Sequence, residues 1–225
     1  MIGKGEPLNY ELERKKLTES LVRRGYISKP EVIKAMMKIP RHIFVPKEIE
    51  PYAYHDCPQQ IGEGQTISAP HMVGIMVEKL DLQPGQKVLE VGGGSGYHAA
   101  VVAEIVGREG HVYSVEYIEE LVKRGKENIK KSGLEDVVTM IHGDGSEGLK
   151  EYAPYDRIFV TCASPDVPPP LLEQLKDKGK LLIPAGGRHF QTLVYCERKG
   201  NKIIRKDYGG CVFVPLRGKY GFKFF

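Results

Sequence analysis

This chain is poor in the features that would send a protein out of the cell or into a membrane. Its first residues, Met1-Ile2-Gly3-Lys4-Gly5-Glu6-Pro7, lack the apolar core of a signal peptide. No apolar run approaches a membrane span. The four cysteines, Cys57, Cys162, Cys196 and Cys211, form no C-x-x-C pair, and none neighbours a histidine at metal-ligand spacing. A soluble, cytoplasmic protein with free thiols is expected, not a disulfide framework. No H-E-x-x-H occurs and the seven histidines are scattered, so no metal site is expected. Gly93-Gly94-Ser95-Gly96-Tyr97 lacks the closing glycine of a nucleophile elbow, which argues against that class of hydrolase. Charge of one sign is missing too. There are 33 basic and 29 acidic residues, well mixed, so a nucleic-acid footprint is not expected. The clusters Arg14-Lys15-Lys16 and Lys123-Arg124 read as solvated helix faces.

What is present is a core and one organising stretch. The chain has 225 residues, 41% of them hydrophobic, which suits one α/β domain with an extension. Val88, Leu89 and Val91 read as a buried parallel strand, followed by Gly92, Gly94 and Gly96 and then by a helix from Ala99 onward. Alternate glycines leave no Cβ between backbone and ligand. Gly94, Gly96 and Ala99 fit a dinucleotide loop, which would make the chain an NAD-dependent oxidoreductase. Glu90 ahead of Gly92, Gly94 and Gly96 instead fits the acidic-x-G-x-G-x-G loop of S-adenosylmethionine enzymes. The three alternate glycines favour the second. Either ligand needs an acid at the end of the next strand for its ribose, and Glu116 closes the run His111–Val115. A non-catalytic nucleotide-binding module is a third reading.

Strands and helices alternate beyond this point, the sign of a parallel sheet. Strands are expected at Val112–Val115, Val137–Ile141, Arg157–Thr161 and Lys180–Ile183. Strand-like runs at Thr192–Cys196, Lys202–Ile204 and Val212–Val214 suggest antiparallel pairing at one edge. Upstream, an amphipathic helix covers about Tyr10 to Arg24, with Leu17, Leu21 and Val22 on one face. Ser28-Lys29-Pro30-Glu31 reads as a capping box for a second helix. Tyr52 to Gln65 reads as a long loop, and a further helix begins near Pro70. The expected fold is a doubly wound, Rossmann-like α/β sheet in a single domain. Residues 1–80 form a helical extension and active-site loop, 87–184 the cofactor core, and 185–225 the C-terminal strands.

Glu90, Glu116 and Asp144 thus end three successive strands and converge on one crevice. Asp144-Gly145 suits an adenine: a carboxylate accepts from the exocyclic amine, and glycine permits close approach. The rival reading is a polar turn. For Ser68, just ahead of Pro70, the plain reading is a helix cap.

Several pieces together resemble the protein-L-isoaspartate O-methyltransferase family. They are Thr66-Ile67-Ser68-Ala69-Pro70-His71-Met72, Val88 to Tyr97, Gly143-Asp144-Gly145 and Val214-Pro215-Leu216. Arg41-His42-Ile43-Phe44-Val45-Pro46 and Tyr155-Asp156-Arg157-Ile158 match as well. The chain departs at Gly93, where the family often has threonine or another small residue. The resemblance implies methyl transfer from S-adenosylmethionine to the α-carboxylate of L-isoaspartyl residues in damaged proteins and peptides. It implies Ser68 as the catalytic hydroxyl. Cofactor contacts would come from Thr66, Ile67, Ser68, Glu90, Gly92, Gly94, Ser95, Gly96, Glu116, Asp144 and Gly145. Val214, Pro215 and Leu216 would line the peptide groove and bind partly through their backbone. A monomer is expected.

Overall fold

The structure, a computed structural model, describes residues 8–223. The signal-peptide expectation for Met1–Pro7 lies outside them. Two helices come first, α1 (Tyr10–Arg23) and α2 (Pro30–Lys38). A hairpin follows, β1 (Gln59–Gly62) and β2 (Gln65–Ile67), and then α3 (Pro70–Leu80). The central alternation is β3 (Lys87–Val91), α4 (Tyr97–Val106), β4 (His111–Glu116), α5 (Glu119–Lys131) and β5 (Val138–His142). The chain continues through β6 (Tyr155–Val160), α6 (Pro169–Glu173), β7 (Leu175–Gly186), β8 (Gln191–Lys199) and β9 (Lys202–Cys211). No helix among the described residues is long and apolar enough to cross a membrane.

The seven-stranded sheet has the order β5-β4-β3-β6-β7-β8-β9. Pairing is parallel from β5 to β7, and antiparallel where β8 and β9 are added. The chain winds outward from β3 to β5, then returns to place β6 on the other side of β3. Strand order therefore reverses between β3 and β6, and open α/β sheets bind ligands outside the C-terminal ends at such a switch point.

β3 alternates across the sheet. Val88 joins a core beneath α1 to α5, and Leu89 and Val91 join a second core on the opposite face. That second face is thinly covered, by α6 and the segment around Val214–Leu216. α4 is buried almost all round and carries no charged outer stripe until Glu104. α5 is amphipathic, burying Leu121, Val122, Gly125 and Ile129, with acids in its first turn and lysines in its last, as the helix dipole favours.

Four expectations change. Tyr52–Gln65 is not all loop, because its end forms the first strand of the hairpin. In α1, Leu17 and Leu21 are buried four residues apart, whereas Val22, a hundred degrees round, is 40% exposed. Ser28 does not cap α2. Its hydroxyl donates to Glu78 Oε1 at 2.6 Å, and the Ser28 and Lys29 amides donate to the same carboxylate, so α3 braces that turn. Val212–Val214 is no strand, since β9 ends at Cys211.

Candidate functional site

A cleft enclosing about 750 Å³, part of it open to solvent, lies outside the ends of β3, β4 and β6. Its floor is the glycine loop after β3. Gly92 has φ +93°, and a Cβ there would lie 2.6 Å from Thr161 Oγ1, so only glycine fits. The Thr161 hydroxyl donates to the Gly92 carbonyl and ties the loop to the end of β6. Asn128 of α5 holds the other side of the loop, donating to Ser95 O at 3.0 Å.

Most of the expected residues meet here. Glu90, Gly92, Gly94, Ser95, Glu116 and Gly145 line the cleft, as do Thr66, Ile67 and Ser68 from the opposite rim. Gly96 does not. It is the N-cap of α4, at φ +86°, packed 3.2 Å (measured from an added Cβ) from Ile129. Thr161, Cys162 and His98 line the cleft without having been anticipated as ligands. The strand-end rule that found the three acids also marks Thr161. The His98 ring lies 4.5 Å from the Phe159 ring, both its nitrogens are buried without a partner among the described residues, and burial pushes its pKa down to about 3, so it stays neutral.

The acids differ in their surroundings. Glu116 is already in use as a brace: its Oε2 accepts from Gly94 N at 2.9 Å and its Oε1 from Ile118 N at 2.9 Å. Each oxygen keeps a further lone pair for a ligand hydroxyl. Glu90 is fully buried, with Oε2 accepting from Ser114 Oγ at 2.5 Å and Oε1 without a partner. Burial, helped by the neighbouring Glu116 and opposed by Ser114, pushes its carboxyl up to about 8. Burial, with these two carboxylates, also pushes the Cys162 thiol up.

The raised Glu90 carboxyl has a consequence for stability. Below about pH 4.5 it is protonated in both folded and unfolded chains and contributes nothing. Between there and about pH 8 the unfolded chain gives up a proton that the folded chain keeps. The ligand-free protein therefore loses stability as pH rises through this window. Glu90→Gln should flatten that decline, read as melting temperature against pH. An unchanged slope would mean that Glu90 ionises normally.

Gly93, the departure noted above, has a neighbour that explains it. A Cβ there would collide with Ser114 Oγ and lie 2.9 Å from Met140 Cε. Gly93→Thr should cost about 1–3 kcal/mol, as overpacking does. Ser114→Ala in the same chain should return part of it, measured by denaturant unfolding. Additive losses would remove the explanation.

Asp144 stands beside the cleft, not on its wall. It caps the short 3-10 turn Gly145–Glu147, accepting from Ser146 N at 2.9 Å and Ser146 Oγ at 2.6 Å. Its second oxygen accepts from Lys219 N at 2.8 Å, which fastens the C-terminal segment along the cleft edge.

Ser68 is not a helix cap. The N-cap of α3 is Ala69, and no side chain of its own caps the helix. Asp56 does this from a distance, accepting from His71 N at 2.8 Å. The Ser68 side chain is thus left at the rim where the cleft meets a second, mostly apolar depression. Thr66, Ser68, Thr161 and Val214 line both.

The expectation for Val214-Pro215-Leu216 is corrected in part. Val214 reaches the second depression, whereas Pro215 and Leu216 line the cofactor cleft only. Their backbone is largely spent: Ala163 N donates to Val214 O and Leu216 N donates to Ala163 O, both at 2.7 Å. Leu216 is 4% exposed and packs into the second core.

Known proteins resemble this chain along almost its whole length. A sequence model of the family "Protein-L-isoaspartate(D-aspartate) O-methyltransferase (PCMT)" matches residues 12–221. A protein-L-isoaspartate O-methyltransferase of Hyperthermus butylicus is 53% identical over 218 residues, covering 93% of this chain and 90% of the relative. One of Methanopyrus kandleri is 54% identical, covering 93% of each. Among solved structures, a Plasmodium falciparum protein described as a protein-L-isoaspartate O-methyltransferase, in complex with S-adenosyl-L-homocysteine, superposes with a TM-score of 0.83. It is 32% identical, over 94% of this chain and 99% of its own.

Proposed function

The chain belongs to the protein-L-isoaspartate(D-aspartate) O-methyltransferase family, and from that premise we propose how its own residues carry the reaction. The chain methylates the α-carboxylate of L-isoaspartyl residues in damaged proteins and peptides, using S-adenosylmethionine. The oxidoreductase alternative finds no support among the relatives.

The carrying observation is the junction of two cavities. A glycine-floored cleft with two buried acids shares Thr66, Ser68, Thr161 and Val214 with an adjoining, mostly apolar depression. The cleft suits the cofactor chemically. Glu90 Oε1 is a buried carboxyl oxygen without a partner, and the ammonium at the cofactor's amino-acid end would favour the ionised carboxylate there and donate to it. Glu116 keeps acceptor capacity for ribose hydroxyls. Asp144 Oδ2 keeps one lone pair beyond its bond to Lys219, enough to accept from an adenine amine. Gly145 leaves room beside it.

When bound, the cofactor supplies a methyl group on a sulfonium, ready for transfer to a nucleophile. The chain supplies no general base and needs none, because a carboxylate with a pKa near ~4 is already ionised at neutral pH. Its task is to align that oxygen and to exclude water. Alignment of this kind is worth roughly 7–11 kcal/mol. Ser68 Oγ orients the acceptor carboxylate at the junction. In the ester so formed the neighbouring main-chain nitrogen attacks the carbonyl, loses its proton and expels methanol, where the free carboxylate would have to expel oxide. The resulting succinimide can then be opened by water as normal aspartate.

The test is transfer of labelled methyl from S-adenosylmethionine to an isoaspartyl peptide and to its normal aspartyl twin. Labelling of the first alone is expected. Equal labelling, or none, would overturn the assignment.

A further inference from the structure

The second depression is walled by Pro58, Ala69, Met72, Val212 and Phe213, with His71 set among them. His71 does not line the cofactor cleft. Its ring is fixed from behind. Nδ1 lies 2.8 Å from Asp56 Oδ1. Arg24 grips the other Asp56 oxygen at 2.7 Å and also donates to Tyr26 Oη at 2.9 Å. The Tyr26 ring lies 5.2 Å from the imidazole. Three separate parts of the chain, the exit of α1, the turn at Asp56 and the first turn of α3, therefore converge on one ring. A carboxylate only accepts, so the ring proton of the pair sits on Nδ1 and Nε2 of the neutral ring is an acceptor. Nε2 bonds to no group among the described residues, and the side chain is 30% exposed.

We infer that His71 is a peptide-binding residue of the acceptor site, whose Nε2 accepts a hydrogen bond from a main-chain N–H of the bound peptide. This rests on the methyl-acceptor reading above. The reacting carboxylate has no proton to donate to Nε2, and it must enter the cleft by way of Ser68, so it is not what His71 reads. A peptide laid on apolar walls loses water from its amide donors, and an unpaired donor is costly. The neighbouring chain segment offers little relief, because Val214 O and Leu216 N are committed to Ala163. A rigidly held imidazole acceptor at the wall meets that need without side-chain reordering, and it reads backbone, which every damaged protein shares.

The experiment combines His71→Ala with isoaspartyl peptides in which single N–H groups are replaced by ester oxygens. Assays run at one fixed pH throughout. For the parent, one ester position should raise KM roughly three- to tenfold, the worth of one hydrogen bond. His71→Ala should raise KM by a similar factor on the all-amide peptide and be indifferent to that ester. kcat and adenosylhomocysteine affinity should stay near parental. If the two penalties add, or if His71→Ala keeps the parental KM, the assignment fails while the methyltransferase reading stands. If the parent methylates no isoaspartyl peptide, the underlying reading fails instead. Should His71→Ala melt below the assay temperature, His71→Gln, whose amide oxygen still accepts, gives the same comparison with the penalties reduced.

Discussion

Glu116→Ala is expected to bind adenosylhomocysteine ten- to a hundredfold more weakly than the parent and to melt at a lower temperature. Both effects come from one carboxylate with two sets of partners. Toward the protein, it accepts from Gly94 N in the glycine loop and from Ile118 N, the N-cap residue of α5. Removing it leaves two amide donors to find water in a site where Glu116 is 7% exposed, and each orphaned donor costs about 1–3 kcal/mol. Toward the ligand, the lost charged hydrogen bonds are worth roughly 1.5–3 kcal/mol, about tenfold or more in affinity. Calorimetry and melting separate the two. A variant that melts lower but binds adenosylhomocysteine like the parent would make Glu116 a loop brace alone. Glu116→Gln keeps one acceptor oxygen, so it should recover part of the melting temperature and little of the affinity.

The parts of this fold that were legible in the sequence are those governed by local period and backbone need. β3, its glycine loop and α4 follow one another without interruption, and the acids at the ends of β3 and β4 follow from strand length. The hairpin at β1 and β2 was not legible. Its turn residues Glu63 and Gly64 have φ of +53° and +67°, the backbone that asparagine or aspartate before glycine usually announces. Glutamate in that place hides the signal, and strands of four and three residues are too short to show alternation. The start of β7 at Leu175 was hidden by a register shift against β6, with Lys178 at φ +61° inside the strand.

Long-range partners account for the remaining differences. Asp144 reads as a free strand-end acid because Lys219, which claims one of its oxygens, lies 75 positions away. Asp56 stands in a stretch with no helical period, and nothing local marks it as the cap of α3 and the holder of His71. Hydrogen-bond partners distant in sequence carry no periodicity, so a reading by spacing finds the residue and misses its task.

Ser68→Ala should lower kcat on an isoaspartyl peptide by ten- to a thousandfold while leaving the melting temperature close to parental. The structural part of this expectation follows from the start of α3. A serine N-cap replaced by alanine costs ~1 kcal/mol, but here Ala69 holds the cap position and Asp56 takes the amide that a cap would. The stability argument for Ser68 is therefore gone, and its place at the junction of cleft and depression is what remains. The catalytic part follows from the nucleophile. Since the acceptor oxygen is already an anion, Ser68 has no proton to remove and only geometry to impose. Its loss leaves the rest of the alignment in place, so the drop is bounded at about 1.4–4 kcal/mol of barrier. A contact that tightens only as the methyl moves lowers kcat and kcat/KM together, whereas one made equally in the bound state raises KM alone. Steady-state methylation by the folded variant, with adenosylhomocysteine affinity measured alongside, distinguishes these. Parental kcat with a raised KM would move Ser68 from orienting the reacting carboxylate to holding the peptide, and parental values of both would take it out of the site.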